Sequence, residues 1–310
     1  MFDGILWALE NIAMSFYNLG YAITHPGSWL AWLGGWANAE GERALEIKQS
    51  LARFIYYGGS VEFFFVVFTT FLVLTAIGIW KRSFMWGLVR GLEGLANGVG
   101  RFFAWAGLIM VLQQIIIVFL QRIFRVAEIS FGPGGLSFTH DLSWFSEELK
   151  LYNAMIVALC VTYTFVQGGH VRVDLVYAAV SHRTKRMIDM FGSIFFMMPV
   201  VTLTWMYAWF FLWRHLVTPN PNAGAALDRL MMQARALRWN VETIGFSPNG
   251  FNAYFVFKIM IIGYCALVFL QAMAFFWRSF LEWAEGEESI GRYQDKDTLG
   301  EGEEAYEGAH

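Results

Sequence analysis

An all-α, polytopic integral membrane protein with five transmembrane helices and additional interfacial helices is the fold class this sequence predicts. Three observations predict it. The chain of 310 residues is 57% hydrophobic and only 15% charged, too apolar for an ordinary soluble domain. It carries 30 Phe and 14 Trp, and Trp crowds the borders of apolar runs, where an indole keeps its N–H wet. Apolar stretches of about 20 residues, the length that crosses a bilayer core, recur between short turns rich in Lys and Arg.

Residues 5 to 24 and 27 to 37 are apolar and aromatic but interrupted by Glu10, Asn11, Asn18, His25 and Pro26, which predicts interfacial or re-entrant helices. Residues 39 to 53 read as a short, charged, solvent-exposed helix with Glu42, Glu46 and Lys48 near one another. The first span is 60 to 80, with Glu62 its one charge and Lys81-Arg82 immediately after it. In 83 to 101, Phe84, Leu88, Leu92, Leu95 and Val99 recur at helical spacing while Arg90, Glu93 and Asn97 fall elsewhere, the pattern of an elbow helix lying in the interface. The second span, 102 to 121, holds Gln113 and Gln114, amides that must face another helix to find partners.

Gly132-Pro133-Gly134-Gly135 marks a loop within 126 to 146. Spans three and four, 151 to 167 and 188 to 213, flank a polar turn from Gly168 to Arg186. A glycine pair ends the third span, since glycine tolerates the left-handed C-cap. Ser181 is available as N-cap of the fourth, and Pro199 predicts a kink within it. A second loop opens at Pro219-Asn220-Pro221-Asn222 and carries a helix in which Leu227, Leu230, Met231, Ala234 and Leu237 share a face. Ser247-Pro248 starts the fifth span, 251 to 277, and Arg278 closes it. Residues 281 to 310 are acidic and nearly free of large aliphatics, which reads as a disordered tail.

Cys160 and Cys265 both lie within apolar runs, where a thiol acts as a small hydrophobe, so neither a disulfide framework nor a metal site is expected. The N-terminus lacks a basic n-region, and no cleaved signal peptide is expected. Placing the loops 81 to 101 and 168 to 187 and the C-terminal tail inside satisfies the bias of Lys and Arg toward the cytoplasm.

The stretch from about 98 to 280 resembles the small transmembrane subunit of tripartite ATP-independent periplasmic (TRAP) transporters, the DctQ-type component. Gln121-Arg122 closing a span, Trp144 with Glu147-Glu148-Leu149 opening the next, and Gly169-His170-Val171-Arg172-Val173-Asp174 before a basic helix start carry the resemblance. It implies a four-helix small-permease core over 98–280, so the chain divides into an interfacial extension over 1–57, an extra transmembrane helix and elbow helix over 58–97, that core, and the tail over 281–310. It implies a bacterial inner membrane location, and a scaffold without catalytic site or cofactor. The expected partners are a large elevator-type permease subunit, a periplasmic substrate-binding protein delivering an organic acid, and membrane lipid; no nucleic acid is expected. A membrane anchor or assembly subunit of a respiratory or redox complex is the alternative, although His170, His182 and His215 cluster at span ends rather than at facing mid-membrane depths.

The interface residues this reading singles out are Trp144, Glu147, Glu148, Gly169, His170, Arg172, Asp174 and Lys258. The turn with His170, Arg172 and Asp174 is either a latch to the large subunit or a solvated hairpin, in which an exposed pair contributes only about 0–1 kcal/mol. Glu148 and Lys258 enter the apolar region from the same side and are expected to pair, because an intramembrane charge is costly alone. Snorkelling of Lys258 along its alkyl stem is the alternative.

Overall fold

The apolar runs and the breaks between them set the order of elements. The structure is a computed structural model and describes residues 2–35, 41–131, 138–168, 180–219, 226–240 and 254–297. Helices α1 (Phe2–Thr24) and α2 (Gly27–Leu30) are followed by a 3-10 turn, Ala31–Gly34, and by α3 (Gly41–Gly58) and α4 (Val61–Trp80). Next come α5 (Arg82–Val118), a π turn (Phe119–Ile123), a hairpin of β1 (Glu128–Phe131) with β2 (Phe138–Asp141), α6 (Leu142–Leu159) and α7 (Val161–Gln167). After α8 (His182–Gly192), the π turn Ser193–Met197 leads into α9 (Met198–Leu216). The short strand β3 (Val217–Thr218) pairs antiparallel with β4 (Arg238–Trp239) around α10 (Leu227–Gln233), and α11 (Tyr254–Glu285) ends the helical part.

Among the described residues, four helical stretches are long and apolar enough to cross a membrane: Val61–Trp80, Arg82–Ile123, His182–Leu216 and Tyr254–Glu285. Trp144–Leu159 with Val161–Gln167, bent by 44°, makes a fifth if the pair is one span. Helix α11 is the central post, packed against α5, α6, α8 and α9. Its buried Cys265, Ala272, Ala274 and Ser279 are small, which lets the neighbours approach closely. Antiparallel packing follows from the contacts: Gln113 of α5 meets Glu148 of α6, while Asn97 meets Gln167 at the end of α7. The bundle thus has a tryptophan-rich end, around Trp209 and Trp213, and a charged end, around Arg278.

Several expectations are corrected. The elbow helix and the second span are one helix: α5 runs without a break through Asn97-Gly98-Val99-Gly100. Tertiary contacts override the weak helix propensity of glycine there; Gly100 faces Tyr163 so closely that a Cβ would fall on the tyrosine's own Cβ. The packed face is also not the predicted one. Glu93 and Asn97 are only 4% and 1% exposed, whereas Leu95 is 45% exposed, because the polar residues have partners across the bundle; of the leucine stripe, Leu88 and Leu92 are partly buried against the core while Phe84 and Leu95 face outward. Helix α3 is not a solvated charged helix: Ile47, Leu51, Ala52 and Ile55 form a buried stripe at helical spacing. Leu51, Ala52 and Ile55 pack with Trp209, Leu212 and Trp213 of α9 and with Ala234 and Leu237 of the 226–240 segment.

The third span is bent at Cys160, whose φ of −91° and ψ of −5° leave helical geometry. It ends at Gly168, with φ +80°, as a left-handed glycine cap. Ser181 stands extended at the N-cap position of α8, but its hydroxyl meets Thr184 Oγ1 at 2.9 Å rather than a backbone N–H. The irregularity expected at Pro199 is the π turn just before it, Ser193–Met197, where a proline without an N–H leaves the preceding turn to rearrange. The fifth span does not close at Arg278 but continues to Glu285, and the chain of the expected disordered tail folds back on the bundle as far as Asp297. Residues 132–137, 220–225, 241–253 and 298–310 lie outside the described residues, and with them the Gly132 loop, the Asn220-Pro221-Asn222 step and the Ser247-Pro248 cap.

The face predicted for the helix in the 226–240 segment is packed, with Leu230, Ala234 and Leu237 at 5%, 0% and 4% exposure. Leu237→Ala is expected to lower folding stability by about 2 kcal/mol, the low end for a buried leucine because the site lies at the edge of its cluster. Thermal unfolding in detergent reads the loss, and an unchanged melt would detach the loop from the α3 core.

Candidate functional site: a buried charge cluster beneath a C-terminal strap

At the charged end, Glu93 of α5 and Arg278 of α11 face each other as a bidentate pair. Arg278 Nε donates to Glu93 Oε1 at 2.6 Å and Nη2 to Oε2 at 2.5 Å, the fork geometry that makes guanidinium–carboxylate pairs strong and directional. Both side chains are buried, which demands that every charge be answered. Glu282, one turn further along α11, lies 3.5 Å from Arg278 Nη1. Arg186 of α8 reaches the same carboxylate from the other side, Nη2 to Oε2 at 2.6 Å, an ion pair by proximity, and also donates to Asp189 at 3.1 Å. The guanidinium of Arg278 further donates to the carbonyl of Arg292 at 3.0 Å and lies 5.4 Å from the Trp86 ring. Three helices are thereby tied through one alternating row of charge.

The chain after α11 closes over this row as a strap. Gly286 turns it with φ +88°, a 3-10 turn follows at Glu287–Ser289, and the strap reaches Asp297. Asn97 Nδ2 donates to the Asp295 carbonyl at 2.7 Å, and Gln167 Nε2 donates to the same oxygen at 3.0 Å. Arg101 donates to Asp295 at 2.9 Å and to Asp297 at 2.6 Å, and the Tyr163 hydroxyl donates to Asp297. Gln294 Nε2 donates to the carbonyl of Val166 at 2.6 Å. Between strap and helices lies a cavity of about 410 Å³, lined by Arg186, Gln271, Arg278 and Glu282 from below and by Gln294 and Lys296 from the strap. Gln271 is 3% exposed, and its Oε1 has no partner among the described residues.

Exposed ion pairs contribute little each, so the strap's hold is cooperative and pH-dependent. The Arg101 guanidinium, then the Asn97 amide, hold the Asp295 carboxyl below its ordinary value of 3.8. The Tyr163 hydroxyl, then Arg101, hold Asp297 below it too. A depressed folded-state pKa means that the stabilisation is complete above 3.8 and is lost as the pH falls through the lower folded values. The strap is therefore expected to stay seated down to about pH 4 and to release only below the ordinary aspartate range. Hydrogen–deuterium exchange of the strap amides across pH, corrected for their intrinsic exchange rates, reads the release, with Asp295→Asn/Asp297→Asn as the variant in which this acid step is absent. A release midpoint above 3.8 would contradict the assignment.

The residues singled out in the sequence lie elsewhere. Trp144, Glu147 and Glu148 open α6 at the tryptophan-rich end, where Trp144 stacks on His140 with centroids 4.5 Å apart. Glu148 accepts from Gln113 Nε2 at 3.0 Å and from the Tyr152 hydroxyl at 2.9 Å. Gln113 also donates to the carbonyl of Phe145 at 3.3 Å, so this amide does face another helix as expected. Lys258 is half-buried near the start of α11, a helix in contact with α6. Gly169, His170, Arg172 and Asp174 lie outside the described residues. The charge cluster itself was missed, although Arg278, Glu282 and Glu285 recur along one side of α11 and could have announced a buried charged face. No family model, no curated protein and no solved structure matches the chain.

Proposed function

We propose that the chain is a multi-pass membrane protein of the bacterial inner membrane and the small scaffold subunit of a TRAP-type secondary transporter. In this reading it performs no chemistry. It pairs with a large elevator-type permease subunit that takes up an organic acid delivered by a periplasmic binding protein, and its bulk fixes the immobile part of the assembly against the moving part. The observation that carries the proposal is the combination of rigid ends with apolar flanks. Helices α5, α8 and α11 are tied by the Glu93–Arg278–Glu282–Arg186 row, while Phe102, Trp105, Leu108, Ile109, Leu112 and Ile116 of α5 point outward. A frame that resists shear and offers an apolar face suits a subunit whose task is to stand still in lipid.

The motif resemblance supplies the transporter class. Trp144, Glu147 and Glu148 at the tryptophan-rich end, and the turn with Gly169, His170, Arg172 and Asp174, are the proposed contact points with the large subunit. Lys258 joins them as partner of Glu148. The C-terminal strap then lies on the cytoplasmic side, with Lys81, Arg82, Arg183 and Lys185 at the same end.

Affinity purification of the tagged chain from its native membrane, with mass spectrometry of what copurifies and an absorbance spectrum of the same sample, tests the proposal. A colourless complex with one large polytopic subunit is the expected result. A haem band, or copurifying redox subunits, would replace the scaffold reading with that of a redox-complex anchor.

A further inference from the structure

The outer half of α5, residues 102 to 121, carries no charged residue and belongs to the stretch Arg82–Ile123 that is long and apolar enough to cross a membrane. Two of its faces lie open. Phe102, Trp105, Ile109, Leu112, Ile116 and Phe119 form one, all of them bulky and exposed. Lipid tails suit that face, since its one polar group, the Trp105 indole, sits about one turn from Arg101 at the membrane border. The other face is built differently. Ala104, Val111 and Val118 recur every seven residues along it, with Gln114 and Gln121 between and after the valines, the alternating spacing of three and four that marks the seam of a helix pair. These side chains are exposed as well, Val111 and Val118 at 52% and 45%.

The amides are what distinguish this second face. Gln113 is answered inside the chain, by Glu148 and the carbonyl of Phe145. Gln114, the next residue, points outward and makes no hydrogen bond among the described residues. It stands near the middle of the uncharged stretch, at a depth where lipid tails neither donate nor accept, so its amide needs a partner from outside the chain. Asn153 of α6 repeats the situation, exposed and without a hydrogen bond among the described residues. Two contacts set its level: Gln113 meets Glu148, and a Cβ on Gly107 would lie 3.5 Å from Ile156. They put Asn153 beside Met110, about 6 Å along α5 from Gln114.

We infer that this face is the seam of a homodimer, α5 packed against α5 of a second copy and closed at its centre by a hydrogen-bonded pair of Gln114 amides. The inference rests on the membrane reading proposed above. A second copy inserted in the same direction meets every requirement of the seam. A two-fold axis along the membrane normal sets each residue opposite its own counterpart at equal depth. An amide both donates and accepts, so Gln114 pairs with itself, and Gln121 does the same one heptad further on. A foreign helix would have to supply matching polar groups at both levels. The short side chains of Ala104, Val111 and Val118 let the two backbones approach closely. The dimer joins two frames at α5 and leaves the bulky face of each free for lipid or for a larger subunit.

The test oxidises full-length cysteine variants in their native membrane with copper phenanthroline, the native Cys160 and Cys265 being buried. Val111→Cys is expected to form a disulfide-linked dimer of this chain, and Ile109→Cys, 47% exposed on the bulky face, to form none. Energy transfer between donor- and acceptor-labelled copies in phosphatidylethanolamine–phosphatidylglycerol vesicles then reads affinity. Gln114→Leu is expected to weaken association about tenfold, and Gln114→Asn, which keeps the amide, to retain most of it. The position is exposed, so neither change disturbs packing within one copy. A monomer at every ratio of protein to lipid, crosslinking through Ile109→Cys instead, undiminished association of Gln114→Leu, or capture of a different chain by Val111→Cys would overturn the inference while leaving the membrane reading intact. A chain that stays soluble without detergent would remove both.

Discussion

Arg278→Ala is expected to cost about 3–5 kcal/mol of folding stability, the range for breaking a buried ion pair by removing one partner. Glu93 and Glu282, at 4% and 1% exposure, would be left as two buried carboxylates with Arg186 alone to answer them. The carbonyl of Arg292 would lose its donor as well, so the strap should loosen with the core. The compensating experiment is Glu93→Leu with Arg278→Met. It removes both members of the bidentate pair while Glu282 keeps Arg186 at 2.6 Å, and replacement of a buried pair by apolar residues is often neutral or stabilising. The double variant should therefore recover most of the melting temperature lost in Arg278→Ala. Equal destabilisation of both would mean that side-chain packing, not charge balance, holds this end.

Gly100→Val is expected to cost about 3 kcal/mol, the upper end for overpacking. A Cβ at Gly100 would fall on the Cβ and Cγ of Tyr163, atoms too near the backbone to swing aside. Helices α5 and α7 must part. Their separation would strain the contact of Cys160 Sγ with the Gly100 carbonyl, 3.4 Å in the native chain, and pull the Tyr163 hydroxyl from Asp297. A lowered melting temperature together with faster hydrogen–deuterium exchange of the strap at neutral pH is the expected pair of results; a stable variant with a seated strap would contradict the close approach.

The two variants act on features of very different legibility in the sequence. The five apolar runs were readable because length alone decides them: Ser60 caps α4 by accepting from Phe63 N at 3.2 Å, and the polar turn begins where Gly168 ends α7. The side on which each helix packs was not. A stripe of Phe84, Leu88, Leu92 and Leu95 normally marks the core, but only Leu88 and Leu92 of it pack inward, and the polar residue with a distant partner, Glu93, is buried more deeply than Phe84 or Leu95. Helix α3 misled in the opposite way, since Glu42, Glu46 and Lys48 outweighed the stripe of Ile47, Leu51 and Ile55 in a short window. Acidic composition suggested disorder beyond residue 281, yet Asp295 finds Arg101 across 194 positions of chain, a pairing no local pattern encodes. Away from the candidate site, the Gln113 amide facing a second helix was foreseeable; within the site the spacing of Arg278, Glu282 and Glu285 was the one signal, and Arg278 read as the charge that ends a span because its partner lies 185 residues upstream.

Five crossings with the charged end inside is the claim on which the scaffold proposal stands, and impermeant-maleimide labelling of right-side-out membrane vesicles measures it directly. Met232→Cys sits on the outer loop at 74% exposure and Tyr293→Cys on the strap at 50%, while the native Cys160 and Cys265 are buried. The account predicts that Met232→Cys reacts in intact vesicles and Tyr293→Cys only after permeabilisation. Labelling of both from the same side would contradict it.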